Sequence, residues 1–222
     1  MKKTLFLAVT ALLTLSSAQA QNTLRLMTYN IKNANGMDNV QNFQRVANVI
    51  NNACPDAVAI QELDSMTNRS GKTYVLGEIA ERTQMHAYFA PIRIQTMALP
   101  GREEARTLIM AEFEDYIYCC THLSLTEEDR MTSLEMIKNF AASAKKPFFL
   151  AGDMNAEPQS DFIKGLQKDF QILSNPKVPT FPAPKPEETL DYIVTLKNNT
   201  KGFAAISSKV QDESVASDHR PL

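Results

Sequence analysis

Apolar and polar residues alternate along Thr23–Ile31 (TLRLMTYNI), the two-residue period of a strand with one buried face. Val40, Phe43, Val46, Ala47 and Ile50 then recur at helical spacing and predict a helix over Val40–Ala53. Asp56–Ile60 (DAVAI) is a short continuous apolar run, the pattern of a strand covered on both faces. Thr73–Arg82 predicts a second helix and His86–Ala90 a strand. Arg106–Phe113 and Tyr116–Leu123 read as two strands joined by a hairpin-like turn at Glu114-Asp115. A helix begins at Thr126, with Asp129 three residues on in the spacing of a capping box. Met131, Leu134, Ile137, Phe140, Ala141 and Ala144 form its apolar face, which is core packing.

Pro147–Ala151 is a strand, Asp161–Phe170 a helix, and Leu190–Leu196 and Phe203–Ser208 are strands. The proline-rich Pro176–Pro186 cannot continue a helix and reads as an ordered loop. Strands occur in pairs as well as alternating with helices. That pattern predicts an α+β domain with mixed sheets flanked by helices.

The first 20 residues change the count. Lys2 and Lys3, the apolar Leu5–Leu15 and the small-x-small Ala18-Gln19-Ala20 form the three-part layout of a secretory signal peptide. Its apolar core is too short for a span of about 20 helical residues. The expectation is export to the periplasm or the medium, with Gln21–Leu222 as a single domain and no stable membrane insertion. Removing Lys2 and Lys3 takes the net charge from −2 to −4, so no strongly basic nucleic-acid footprint is present. Cys54, Cys119 and Cys120 lack zinc spacing and read as buried or incidental thiols.

Candidate chemistry sits at the ends of the apolar runs. Asp153 and Asn155 follow the strand ending at Ala151. On extended backbone they would share a face, able to orient a water and bind a phosphoryl oxygen or a hard cation. A plain Asp/Asn turn with self-capping side chains is the alternative. Asn30, Gln61-Glu62, His122, Asp191 and Asp218-His219 stand at the edges of other runs. If the strands lie side by side, these groups converge on one rim. Glu62 with neighbouring oxygens suits Mg²⁺ or Mn²⁺. His219 beside an aspartate could act as acid or base, or steady developing charge. There is neither a Gly-x-Ser-x-Gly elbow nor a glycine-rich phosphate loop, which leaves metal-assisted phosphoester hydrolysis.

MTYNI (27–31), AIQELD (59–64), THLS (121–124), GDMNAEP (152–158), LDYI (190–193) and SDHRPL (217–222) occur in this order. Together they resemble the endonuclease/exonuclease/phosphatase family, whose members include DNase-type nucleases, sphingomyelinases and inositol-polyphosphate phosphatases. The resemblance implies a four-layered α/β sandwich of two packed mixed β-sheets flanked by helices. It also implies roles. Glu62 would ligate the metal with Asn30 positioning it, and Asp218 would lie nearby. Asp153 would activate the attacking water, and Asn155 would hold a phosphoryl oxygen. Asp191 would orient His219, while His122 and His219 would flank the scissile phosphate. The implied substrate is a phosphate ester, whether small molecule, lipid head group or nucleic acid, and the implied state is a monomer.

The chain departs from this family between Phe89 and Arg106. A glycine-containing loop and a strand of the G-x-A-I-L-S-R type are replaced by APIRIQTMALPGREEA. The expectation is a short connection in place of a central strand, leaving neighbouring backbone groups unpaired. The chain also stops at Leu222, where the family's last strand would continue. A catalytically impaired relative that acts by binding is therefore the alternative to an active enzyme.

Overall fold

The computed structural model describes residues 23–63, 66–68, 70–87, 92–199 and 203–222. Two parallel strands, β1 (Leu26–Asn30) and β2 (Ala57–Gln61), form a small sheet. The large sheet has six strands in the order β3-β4-β5-β6-β8-β7. They are β3 (Arg93–Leu99), β4 (Arg106–Glu112), β5 (Ile117–His122), β6 (Phe148–Asp153), β7 (Phe170–Ile172) and β8 (Asp191–Leu196). The sheet is mixed, because β5 and β6 run parallel and every other neighbouring pair is antiparallel.

Four layers follow from which face each apolar set covers. Helices α1 (Phe43–Ala53) and α2 (Val75–Thr83) bury Val46, Ile50, Val75 and Ile79 against Met27, Tyr29 and Ile31 of the small sheet. The other face of that sheet meets the large sheet through Ala57, Ala59, Tyr118, Phe149 and Ile193. Helices α3 (Glu127–Ala141) and α4 (Asp161–Asp169) cover the far side, packing Leu134, Ile137, Phe162 and Leu166 on Leu108, Phe148 and Leu150. The two sheets are also tied by polar bonds: the Tyr118 hydroxyl donates to the Met27 carbonyl at 2.6 Å. The predicted four-layered sandwich is the observed fold.

Element ends follow local chemistry. Asn42 caps α1 by accepting from the Arg45 N–H, so the helix starts at Phe43 and not at Val40. Ser160 caps α4 in the same way. At α3 the capping box does not form. The Thr126 N–H is taken by the Ser124 hydroxyl, and Asp129 accepts from Ser124 and the Arg102 N–H instead.

Three further expectations are corrected. Arg93–Leu99 is a seven-residue strand, but it lies at the outer edge of the large sheet against β4, not in the middle of either sheet. Phe203–Ser208 forms no strand, and β7 is a short strand that the sequence pattern does not announce. His86 and Ala87 are not strand, and the rest of the predicted His86–Ala90 strand lies outside the described residues. At the chain's end Leu222 exchanges both backbone hydrogen bonds with Thr28, 2.8 and 3.1 Å, so the last residue pairs along β1.

Among the described residues only β1 pairs with β2, whose other edge borders an apolar cavity of about 640 Å³ lined by Val58, Ile60, Ile79, Ile109 and Tyr118. The Ile60 carbonyl there accepts from the Cys120 thiol at 3.4 Å. Cys119 and Cys120 are free thiols inside the fold, but Cys54 is exposed at the left-handed C-cap of α1.

Candidate active site

One transverse row of the large sheet carries three of the candidate residues. His122, the last residue of β5, is in register with Asp153, the last of β6. Asp153 is in register with Asp191, the first of the antiparallel β8. This register requires close contact between β5 and β6. A Cβ on Gly152 would lie 1.9 Å from the Thr121 carbonyl oxygen, and Gly152 adopts φ +152°, so only glycine serves before the aspartate. The glycine of GDMNAEP thus sets the position of the acid that follows it.

Asp153 is the hub. Its side chain is buried, and its Oδ2 lies 3.5 Å from His122 Nε2 and 3.6 Å from His219 Nε2. Asn30, at the end of β1 on the other sheet, donates from Nδ2 to Asp153 Oδ2 at 3.2 Å and to Glu62 Oε1 at 2.9 Å. Glu62 follows β2 with left-handed backbone, φ +56°, and its exposed carboxylate stands at the water-facing rim. His219 Nδ1 bonds Asp191 Oδ2 at 2.8 Å, and its ring packs on Phe181 with centroids 4.8 Å apart. Six expected residues, Asn30, Glu62, His122, Asp153, Asp191 and His219, are therefore joined in one cluster drawn from both sheets.

The other two stand differently. Asn155 does not extend the strand. It has φ +46°, and its N–H donates to Asp153 Oδ1 at 2.9 Å, the self-capping turn rather than a shared strand face. That turn fixes the Asp153 carboxylate, and Asn155 Nδ2 is itself anchored on the Leu123 carbonyl at 2.9 Å. Asp218 is held by Lys32, with Nζ to Oδ2 3.2 Å, and by the Ser217 hydroxyl at 3.3 Å. Ser217 also donates to the Asn30 carbonyl at 2.7 Å, pinning the C-terminal segment to β1. Arg220 pairs with Asp212 and donates to the Ala183 carbonyl.

Burial and neighbouring charge set the protonation of the cluster. Desolvation and the Asp191 charge raise the Asp153 carboxyl above its ordinary value, against the pull of both histidines. Burial pushes His122 down, with Asp153 opposing and Arg106 assisting. For His219, burial also disfavours the charge, but Asp191, Asp153 and Asp218 outweigh it and hold the imidazole up at about 9. At neutral pH His219 is a cation and His122 is largely neutral.

Arg106 is a buried charge that sequence reasoning did not anticipate. It opens β4, is 7% exposed, and its charge reaches His122. The available signal was an arginine at the head of an apolar run, RTLIMA, whose carbons a strand would carry inward.

Two donor sets fit a cation differently. Glu62 and Asp153 present carboxylate oxygens to the two N–H groups of one Asn30 amide, an oxygen-rich pair suited to Mg²⁺ or Mn²⁺. Asp153, Asp191 and His219 each place one ligand atom within 4.8 Å of the others. In that second set Nδ1 of His219 is bonded to Asp191, and a protonated imidazole has no lone pair to give. The Glu62 set is the better match.

The model of the Endonuclease/Exonuclease/phosphatase family matches residues 27–219, spanning every member of the cluster from Asn30 to His219. The chain belongs to this family. Its relatives among solved structures share the fold at low identity. An endonuclease/exonuclease/phosphatase family protein from Bacteroides thetaiotaomicron is 14% identical, with TM-score 0.67, covering 89% of this chain and 95% of that one. The mannosyl-6-phosphatase of the same species is 15% identical, with TM-score 0.65 over 90% and 97%. Truncated Caenorhabditis elegans TDP2 is 15% identical, with TM-score 0.62 over 89% and 94%. No curated protein matches the chain significantly. The endonuclease/exonuclease/phosphatase family is one of phosphoester hydrolases, and the acid, amide and imidazole cluster described here lies within the part of the chain that the family model covers.

Proposed function

We propose that this chain is an exported, divalent-metal-dependent phosphoesterase. The observation that carries the reading is Asp153: one buried carboxylate set between two histidines and tied through Asn30 to Glu62. In this reading the substrate's phosphorus sits over that cluster. Asp153 accepts a proton from the attacking water, and its raised pKa makes it a stronger base than an ordinary aspartate. The charged His219, oriented by Asp191, hydrogen-bonds a phosphoryl oxygen as charge builds there. His122 and the Asn155 amide contact the phosphoryl oxygens from the β5 side. Glu62, held by Asn30, would bind Mg²⁺ or Mn²⁺. When bound, such an ion supplies Lewis-acid neutralisation of the phosphoryl charge.

The complete cluster favours an enzyme over a family member that acts only by binding. Purified mature protein assayed on a phosphomonoester and a phosphodiester panel, with and without Mg²⁺, tests this. The expected result is turnover on at least one ester, abolished by EDTA. Folded protein with no turnover on any phosphate ester would instead support the binder. Export rests on the N-terminal sequence, and the exported protein is expected to begin at Gln21 on N-terminal sequencing.

A further inference from the structure

Lys32 stands two residues past Asn30, on a turn that fixes it beside the site. Lys32, Asn33 and Ala34 are three consecutive non-glycine residues in left-handed backbone, with φ +46°, +56° and +58°. L-residues adopt that conformation at a cost, and it persists only where the surroundings over-determine it. Here the Asn33 N–H donates to the Glu62 carbonyl, the Asn35 N–H to the Lys32 carbonyl and the Asn42 N–H to the Ala34 carbonyl, each at 2.8 Å. The Lys32 N–H itself donates to Asn30 Oδ1 at 3.2 Å. The turn is therefore tied both to Asn30, which ends β1, and to Glu62, which follows β2.

This turn delivers an ammonium to Asp218. Lys32 Nζ lies 3.2 Å from Asp218 Oδ2, and the two side chains are 36% and 23% exposed. A solvated surface pair looks different: Lys185 and Glu187 are 86% and 62% exposed. Asp218 is the carboxylate expected near the metal, yet it belongs neither to the Glu62 and Asp153 pair that Asn30 joins nor to the set of Asp153, Asp191 and His219. A divalent ion on Asp218 would have to displace a cation that the backbone holds in place. Like charges beside one carboxylate repel, so the ammonium and such an ion exclude one another there.

We propose that Lys32 is a built-in cation of the candidate active site: it claims Asp218, and the site therefore takes one divalent ion, on the Glu62 side. The ammonium is then the second positive charge of that rim. The inference rests on the phosphoesterase reading for the ion at Glu62 and deepens it by fixing how many ions the site holds.

The test is a Mn²⁺ titration of the full mature protein, stripped of metal, with bound ions counted by calorimetry and by the electron paramagnetic resonance of free Mn²⁺. Wild type is expected to bind one ion. Lys32→Met frees Asp218 and should bind two. The double variant K32M/D218N, which removes both charges, should return to one. Asp218→Asn alone should keep its single ion and lose no more than about ten-fold in affinity, the scale of one unit charge left near a divalent ion. Two ions in wild type, one in K32M, or two in the double variant would each overturn the proposal. If K32M does not fold, wild type and D218N decide: two ions in the first, or no ion in the second, overturns it. One bound ion with no turnover of any phosphate ester would sink the enzyme reading alone. EDTA-sensitive turnover by a wild type that binds two ions would sink this inference alone.

Discussion

At the scale of single residues, the site works by placing groups of opposite tendency against one another. Asp153 and Asp191 are adjacent buried acids, and what makes the pair tolerable is the imidazolium of His219 between them. Two consequences are measurable on metal-free protein. Histidine NMR titration should show His219 deprotonating near 9, with His122 below its ordinary 6.5. Asp191→Asn should bring the His219 value down, since that carboxylate is the main group raising it. An unmoved value in D191N would contradict the assignment. Because the folded value of His219 lies above 6.5, its charge contributes stability fully below pH 6.5. That contribution is lost as pH rises through about 9, which chemical denaturation across this range can follow. For activity the signs are opposite at the two ends: protonating Asp153 costs rate on the acid side, and deprotonating His219 costs rate on the basic side.

How much of this could be read from sequence also divides by residue. The strand ends were legible because the polar groups stand at the edges of apolar runs, and a strand buried on both faces can place such groups only at its ends. Asn155 was half legible: its nearness to Asp153 was right, but the left-handed turn that joins them needs tertiary anchoring on Leu123, which sequence spacing does not encode. The burial of Arg106 was not legible because an arginine before a hydrophobic strand usually reaches solvent, whereas here Gly101 packs against its stem.

Among elements, the strands that build the site are specified more tightly than those that frame it. β6 reads FFLAGD and is buried along its whole length, so its register against β5 leaves no freedom at Gly152. Gly152→Ala should destabilise the fold by on the order of 1–3 kcal/mol through a strained φ and backbone overlap, and it should impair activity by shifting Asp153. A G152A variant of wild-type stability would refute that register argument. By contrast β3, RIQTMAL, is mostly exposed at a sheet edge, so hydrophobic patterning gives little sign of it. Its seven-residue ladder against β4 is a pairing decision. Phe203–Ser208 makes the reverse case: the run has strand composition but forms no strand.

In the small sheet, the edge of β2 away from β1 has no partner strand among the described residues. Gln61 turns its carbonyl to Ile31 of the β1 side, so by alternation Val58 and Ile60 turn theirs to the open edge. Amide hydrogen exchange should therefore be faster at Val58 and Ile60 than at Ala57 and Ala59. Equal protection at all four would mean that the edge is covered. The edge lies below the rim, and the Asn30–Glu62 contact above it is intact.

For the whole molecule, a four-layered sandwich explains why residues nearly two hundred positions apart can act together. The Ser217 hydroxyl reaches the Asn30 carbonyl, Leu222 pairs with Thr28, and Tyr118 bridges to Met27, so the chain ends and the two sheets are fixed at one rim. Catalysis by such a cluster depends on preorganisation: the donors and the base already stand where charge will develop. Removing one member should cost rate far more than stability. His219→Ala and Glu62→Ala should each lower kcat by at least about a hundred-fold, the scale of one lost acid–base or charge-stabilising group. Of the two, Glu62 is exposed and should leave the melting temperature nearly unchanged.

The most direct measurement is therefore EDTA-sensitive hydrolysis of a phosphomonoester and a phosphodiester panel by the mature protein, run side by side with Glu62→Ala. Turnover by the wild type that Mg²⁺ restores after chelation, and that the folded variant lacks, is the predicted result. Turnover that survives both chelation and the loss of Glu62 would contradict a metal-assisted site at this rim.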